Sequence, residues 1–243
     1  LDNFGFGTLG SIMTVVAFVA LIIGFRALPE VGMRSGTASA GATLSGYREV
    51  LKRRPVQLLA VLRLVPTAYW GTAQLLMPLL IYRAAGTASA AAYYGTVTLL
   101  FASACQLLAG RVADRWGVRV PVVVLTILIS GFSLLTGFFS DSILGLYVLG
   151  MLGAGAAWSL SVTIPGVVHG IVPREEHGRT LGFTHVAWCA GSLIGTQVGG
   201  WLVDVSSGLP FIIMGVLGLA AIAAAVGLGP WLRAGTPKSN AVA

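Results

Sequence analysis

Long apolar stretches recur along this 243-residue chain, and short polar or charged connections separate them. A stretch of roughly 18 or more apolar residues with almost no charge is typical of a membrane-spanning helix, because about 20 residues cross the hydrocarbon core at a rise of ~1.5 Å each. Seven stretches have this character, at residues 4–25, 57–82, 89–110, 120–140, 142–172, 180–203 and 209–232. The pattern therefore predicts an all-α membrane protein with seven transmembrane helices.

Composition and charge support the same class. Hydrophobic residues make up 56% of the chain and charged residues 9%, whereas soluble domains carry about 25% charged residues. The net charge of +7 is a topology signal, because all Lys and Arg residues except Arg63 and Arg83 fall in connections on one side of the predicted helices. Basic connections stay in the cytoplasm. The N-terminus is therefore expected outside and the C-terminus inside, and nucleic acid is not an expected partner.

The same pattern divides the chain into four parts. We expect a transmembrane helix at 1–25, a cytoplasmic loop at 26–56, a six-helix bundle at 57–232 and a cytoplasmic tail at 233–243. The loop is rich in Gly, Ala, Ser and Thr and then becomes basic at 47–54. This basic part is either a short helix on the inner membrane surface or a solvated linker, and the sequence leaves both open.

The most specific motif lies at residues 110–119, GRVADRWGVR, which form a charged connection between two apolar stretches. It resembles motif A of the major facilitator superfamily, G-x-L-A-D-R-x-G-R-K. The matching residues are Gly110, Ala113, Asp114, Arg115 and Gly117. Arg119 fills the second basic position, and Val118 stands where the first basic residue is usual.

This resemblance implies the C-terminal half of a facilitator-type transporter together with the helix before it. Residues 1–25 would be the sixth helix, 26–56 the central loop, and 57–232 the six helices of the second half. The chain then looks like part of a longer protein, and its partners would be the missing N-terminal half, the membrane lipid and a small-molecule substrate.

The resemblance also implies a gating role for motif A. The Asp114 carboxylate would lie at the positive N-terminal end of a helix of the opposite half, and Arg115 would pair with Glu175 or Glu176. Arg179, in the same connection, is a further possible charge partner. These contacts would hold the cytoplasmic side shut. The alternative is a solvated loop that only fixes topology.

Candidate substrate contacts come from polar and aromatic residues inside the apolar stretches. Arg63, Trp70 and Gln74 follow one another at i, i+7 and i+11, on one face of a helix. An Arg inside a membrane helix costs about 2.5–3.5 kcal/mol on insertion scales. It either faces a cavity and binds an anionic group, or it snorkels to the headgroups. The full set of cavity candidates is Arg63, Trp70, Gln74, Tyr94, Trp158 and Trp188.

Two histidines are candidates for proton coupling. His169 and His185 lie near the cytoplasmic ends of successive predicted helices, so we expect them at similar depth. Histidine changes charge near neutral pH. Proton coupling and purely structural hydrogen bonds are both open interpretations.

The function expected from this resemblance is secondary transport of a small molecule by alternating access, with export of drug-like or weakly anionic compounds first. The alternatives are uptake of an organic anion or sugar, and a truncated membrane scaffold that transports nothing. Signatures of receptors, retinal proteins and intramembrane enzymes are missing from the sequence, and we expect no metal site and no cofactor. The expected location is a bacterial inner membrane.

Overall fold

The computed structural model describes residues 15, 18, 19, 22 and 47–234. The chain divides into two compact units, residues 1–43 and residues 44–243. Most of the helix predicted at 4–25, most of the loop and most of the tail lie outside the described residues, so the description below concerns the second unit.

Seven α-helices follow residues 47–52, which are also helical. Their bounds are α1 Arg54–Ala85, α2 Ala88–Trp116, α3 Arg119–Phe138, α4 Ile143–Ile171, α5 His177–Leu202, α6 Leu209–Gly227 and α7 Gly229–Ala234. A short 3-10 turn, Arg174–Glu176, precedes α5. No β-strand occurs among the described residues, so the predicted all-α class is confirmed.

Five helical segments of the described chain are long and apolar enough to cross a membrane. They are α1, α2, α3, α4 and the segment Leu209–Leu232. Helix α5 has 26 residues but does not reach the required apolarity, because Gly, Thr and His occupy many of its positions. The count of seven spanning helices therefore remains a prediction.

Some helices end at other residues than the predicted apolar segments do, because a helix can continue beyond its apolar part. The stretch expected at 89–110 continues as helix to Trp116, so most of the motif A residues lie in the last two turns of α2. No strong helix breaker precedes Gly117, whose φ of +77° suits glycine, and the connection to α3 consists of Gly117 and Val118 alone. Gly86 ends α1 in the left-handed conformation, and its N–H donates to the Tyr82 carbonyl at 2.9 Å.

Helix α1 is central and α2 is peripheral in this bundle. In the most apolar 18-residue stretch of each helix, 61% of residues are buried in α1 and 17% in α2. The core around α1 is built from large aliphatic side chains such as Leu59, Leu62 and Leu76. Helix α2 packs mainly on α4, where the Tyr147 hydroxyl donates to the Ala90 carbonyl.

Helices α1 and α5 approach until their backbones touch. A Cβ atom added to Gly191 or Gly195 would overlap the carbonyl oxygen of Leu64 or Ala68 on α1. The Thr72 hydroxyl crosses this interface and donates to the Gly195 carbonyl at 2.9 Å. Glycines spaced four residues apart permit such close packing in membranes. This contact fixes the position of α1 against α5, and with it the position of the residues described next.

Candidate functional site

A small cavity of about 20 Å³ lies between α1, α4 and α5. This volume holds about one water molecule. Its lining consists of Leu62, Arg63, Pro66, Thr67, Trp70, Ala157, Trp158, Leu160, Ser161 and Trp188. Four of the six cavity candidates chosen from the sequence, namely Arg63, Trp70, Trp158 and Trp188, therefore meet at one place.

Arg63 extends across the cavity to α4. Its Nη1 donates a hydrogen bond to the Ser161 hydroxyl at 2.6 Å. Ser161 lies well inside α4, so the guanidinium is directed at a neighbouring helix and not along α1 toward the headgroups. Ser161 is not among the candidates chosen from the sequence, although it follows Trp158 by three residues on the same helical face.

Two N–H donors at this site have no acceptor. The Nε of Arg63 and the Nε1 of Trp158 are buried and lack a hydrogen-bond partner among the described residues. Arg and Trp side chains donate and do not accept. A buried donor without an acceptor costs about 1–3 kcal/mol. The site therefore favours a ligand that brings acceptor oxygens, and a negatively charged one most of all.

Aromatic rings form the apolar walls of the cavity. The rings of Trp70 and Trp158 pack edge to face, with centroids 5.6 Å apart and planes at 71°. The imidazole of His185 stacks on Trp188 at 5.3 Å and 12°. The cavity thus combines a cation with flat apolar surfaces, which suits a molecule that has both an acidic group and a ring system.

The structure does not bring Gln74 and Tyr94 into this cavity. Gln74 is exposed on α1, one turn beyond Trp70. Tyr94 is buried on α2, where its ring meets Tyr147 edge to face at 5.5 Å. An added Cβ at Gly150 would lie 3.1 Å from the Tyr94 ring, so this tyrosine fills the space above a glycine of α4. Its position is explained by packing between α2 and α4.

The two candidate histidines have different neighbours. The ring of His169 lies 4.8 Å from the ring of His177, which the sequence reasoning did not select. His177 Nε2 lies 3.0 Å from the Val172 carbonyl oxygen. His185 contacts Trp188 at the cavity instead. Only His185 is therefore close to the Arg63 site.

The motif A residues are arranged around the end of α2. Asp114 and Arg115 are exposed, and Gly110 precedes them in the same helix. The half-buried Arg119 begins α3, and its guanidinium lies beside Gly229, where an added Cβ would be 3.4 Å from Cζ.

The expected acidic partners of Arg115 lie elsewhere. Glu176 binds Arg53 through two parallel contacts, Nη1 to Oε2 at 2.7 Å and Nη2 to Oε1 at 2.8 Å. Within the described part of the chain no ion pair joins Arg115 to Glu175 or Glu176. Glu175 is exposed and Arg179 is half-buried at the start of α5. The sequence did not reveal the Arg53 contact, because it links the end of the loop to a turn more than a hundred residues later.

Among the described residues no group of three or more His, Cys, Asp or Glu side chains could hold a metal ion.

The family model of the Major Facilitator Superfamily matches residues 68–242. The chain is similar to the tetracycline resistance protein, class H, of Pasteurella multocida, with 27% identity over 143 residues, which are 58% of this chain and 35% of that protein. It is also similar to multidrug resistance protein 1 of Bacillus subtilis (strain 168), with 28% identity over 114 residues, 47% of this chain and 29% of that protein. The matched regions span about a third of the length of these relatives.

Proposed function

Since this chain belongs to the major facilitator superfamily, we propose that its helices form the C-terminal bundle of a transporter that exports drug-like or weakly anionic small molecules. In this proposal the substrate crosses by alternating access between two halves, and residues 54–232 supply one wall of its path. The protein lies in a bacterial plasma membrane, with its arginine-rich connections in the cytosol.

The observation that supports this proposal is the pair of buried N–H donors, Arg63 Nε and Trp158 Nε1, beside the aromatic walls. A carboxylate or another acidic group would bring acceptor oxygens to these donors, whereas an organic cation would leave them unpaired next to a second positive charge. A cavity of about 20 Å³ is far smaller than the ~300–1,000 Å³ of small-molecule sites. The opposite half of the transporter must therefore complete the site.

The direction of transport is proposed from the two relatives, whose names describe tetracycline resistance and multidrug resistance. Resistance by a membrane transporter is most simply achieved by export. Motif A keeps its proposed role as a gate at the cytoplasmic end of α2, with Asp114 directed to the opposite half.

The test is Arg63→Ala in the protein as the cell makes it. We expect uptake of a fluorescent organic anion into everted membrane vesicles, which corresponds to export from the cell, to fall at least about tenfold, the factor that corresponds to ~1.4 kcal/mol. Arg63→Lys should restore part of the rate, because an ammonium keeps the charge but not the planar fork. Arg83→Ala is the matched control at the far end of the same helix, and it should export normally.

Membrane insertion of each variant is checked by its yield in extracted membranes. Normal export by a well-inserted Arg63→Ala protein would contradict the proposed site. Accumulation of the anion in the cytosol of intact cells would instead favour uptake over export. Absence of any flux in the wild-type protein would favour the scaffold interpretation.

Proton coupling is proposed through His185, because its ring stacks on Trp188 in the cavity lining. A protonated imidazolium on the indole face would be held by a cation–π interaction and would add a second positive charge near the substrate. We expect His185→Asn to flatten the pH profile of export, because asparagine cannot bind and release a proton as an imidazole does. His169→Asn should keep the wild-type profile, and an unchanged profile in the double variant would rule out coupling through either histidine.

A further inference from the structure

An apolar groove of about 380 Å³ lies between α2 and α3, with α4 as its floor. Leu108 and Val112 form its α2 wall, and Val124 and Leu128 form its α3 wall. The groove does not share any lining residue with the cavity at Arg63. It exists because α2 and α3 both pack on α4 and touch each other little.

Gly155 on α4 gives the groove its depth, because it has no side chain to fill the floor. A Cβ atom at this position would lie 2.8 Å from the Phe101 ring and 3.1 Å from the Cys105 sulfur. The mouth opens sideways, since the wall residues Leu108 and Val124 are 58% and 46% exposed. In a protein whose helices span the membrane, a sideways opening with apolar walls faces the lipid chains.

Charged residues lie beyond one end of the groove, which is itself lined almost entirely by apolar groups. Trp116 lines it there, and an indole at this position is typical of the membrane–water interface. Arg115 follows Leu108 by seven residues and Val112 by three, so it lies on the groove side of α2. Arg111 lies one turn earlier on α2, and the net charge of this end is positive despite Asp114.

We propose that this groove binds one anionic phospholipid, with an acyl chain along Leu108, Val124 and the α4 floor and with the phosphate at Arg115. The combination of a long apolar channel and a cationic end matches the chemistry of such a lipid from head to tail. A basic residue near the membrane surface attracts anionic lipid headgroups. The proposal depends on the helices spanning the membrane and is independent of the transported substrate.

The first experiment counts bound lipids on the full chain. The protein is reconstituted with equal amounts of phosphatidylglycerol and phosphatidylcholine, extracted into mild detergent and weighed intact by native mass spectrometry. We expect one retained phosphatidylglycerol on the wild-type protein. Val124→Trp fills the groove and should lower this occupancy about tenfold, as a loss of ~1.4 kcal/mol would. Val216→Trp is the matched control, because Val216 is 53% exposed on α6 and does not line the groove.

The second experiment tests the headgroup contact. Arg115→Gln should remove the preference for phosphatidylglycerol over phosphatidylcholine, whereas Arg83→Gln, at the other end of the bundle, should keep it. Equal lipid retention by Val124→Trp and Val216→Trp would overturn the proposal. The proposal would also be overturned if the groove bound a neutral dye and no lipid, or if a second copy of the chain covered Val124 in a dimer.

A third measurement does not depend on the folding of a variant with a filled groove. Phosphatidylglycerol with brominated acyl chains should quench the part of the fluorescence that Trp116→Phe removes, and it should do so more strongly than brominated phosphatidylcholine. Equal quenching by the two lipids would show that Trp116 meets bulk lipid only, and it would also overturn the proposal.

Discussion

The contact of α1 with α5 makes a sharp prediction for Gly195→Ala. The new Cβ would lie 2.7 Å from the carbonyl carbon and 2.8 Å from the Cα of Ala68, and it would overlap the carbonyl oxygen. These are backbone atoms inside a helix, so no side-chain rotation relieves the overlap. The two helices must move apart, which also stretches the hydrogen bond from Thr72 to the Gly195 carbonyl.

The expected magnitude follows from three terms. Overpacking costs about 1–3 kcal/mol, and a hydrogen bond between membrane helices is worth about 0.6 kcal/mol. Alanine in place of glycine regains about 0.8–1 kcal/mol of helix propensity. The free energy of unfolding should therefore fall by about 2 kcal/mol. At ~2–4 °C per kcal/mol for a chain of this size, Tm should fall by roughly 4–8 °C.

The control for this variant lies on the same helix. A Cβ at Gly200 would meet the Leu75 side chain at 3.8 Å, an ordinary contact. Gly200→Ala should therefore be neutral or stabilising by up to about 1 kcal/mol. Thermal unfolding in detergent, followed by circular dichroism at 222 nm, compares the two variants with the wild-type protein. Equal Tm values for the two alanine variants would refute the backbone contact between α1 and α5.

Two further predictions concern the connections. Gly117→Ala should lower the free energy of unfolding by about 1–3 kcal/mol, because a φ of +77° with extended ψ is strained for any residue with a Cβ, and thermal unfolding measures it. Gly110→Ala is its control, since an added Cβ there meets no described atom within 4 Å; equal losses would contradict the strain argument. A double-mutant cycle of Arg53→Ala and Glu176→Ala should give a coupling energy of about 0.2–1 kcal/mol, because both groups are partly exposed to solvent. The coupling should shrink when salt is raised, and a salt-independent value would contradict a solvent-exposed pair.

Apolar patterning predicted the helices well and their ends less well. Hydropathy marks the part of a helix that lies in hydrocarbon, whereas helicity continues until a residue breaks it. For this reason α2 runs on from residue 110 to Trp116. Helix α5 shows the opposite case. Its buried positions include Gly191 and Gly195, which are favoured by backbone contact with α1 but contribute little to hydropathy.

The residues of the candidate site that share one face of a helix could be predicted from their spacing in the sequence. Arg63 and Trp70 share a face of α1, and Trp158 and Ser161 share one of α4, so each pair follows from spacing alone. The level at which one helix sits against another does not follow from spacing. For that reason spacing could not indicate that Tyr94 packs between α2 and α4, outside the lining of this cavity.

The peripheral position of α2 has a consequence for how the protein senses its surroundings. Its 29 residues extend about 43 Å at 1.5 Å each, longer than the ~30 Å of hydrocarbon that they must cross. Because few residues of α2 are buried in the described bundle, we expect this helix to accommodate the difference in length by tilting. We expect less tilting of α1, because most of its residues are packed against neighbouring helices. A thinner bilayer should therefore increase the tilt of α2 more than that of α1, and this tilt would change the angle at the connection of Gly117 and Val118. Under the gating role proposed for motif A, bilayer thickness would therefore act on the gate through the tilt of α2.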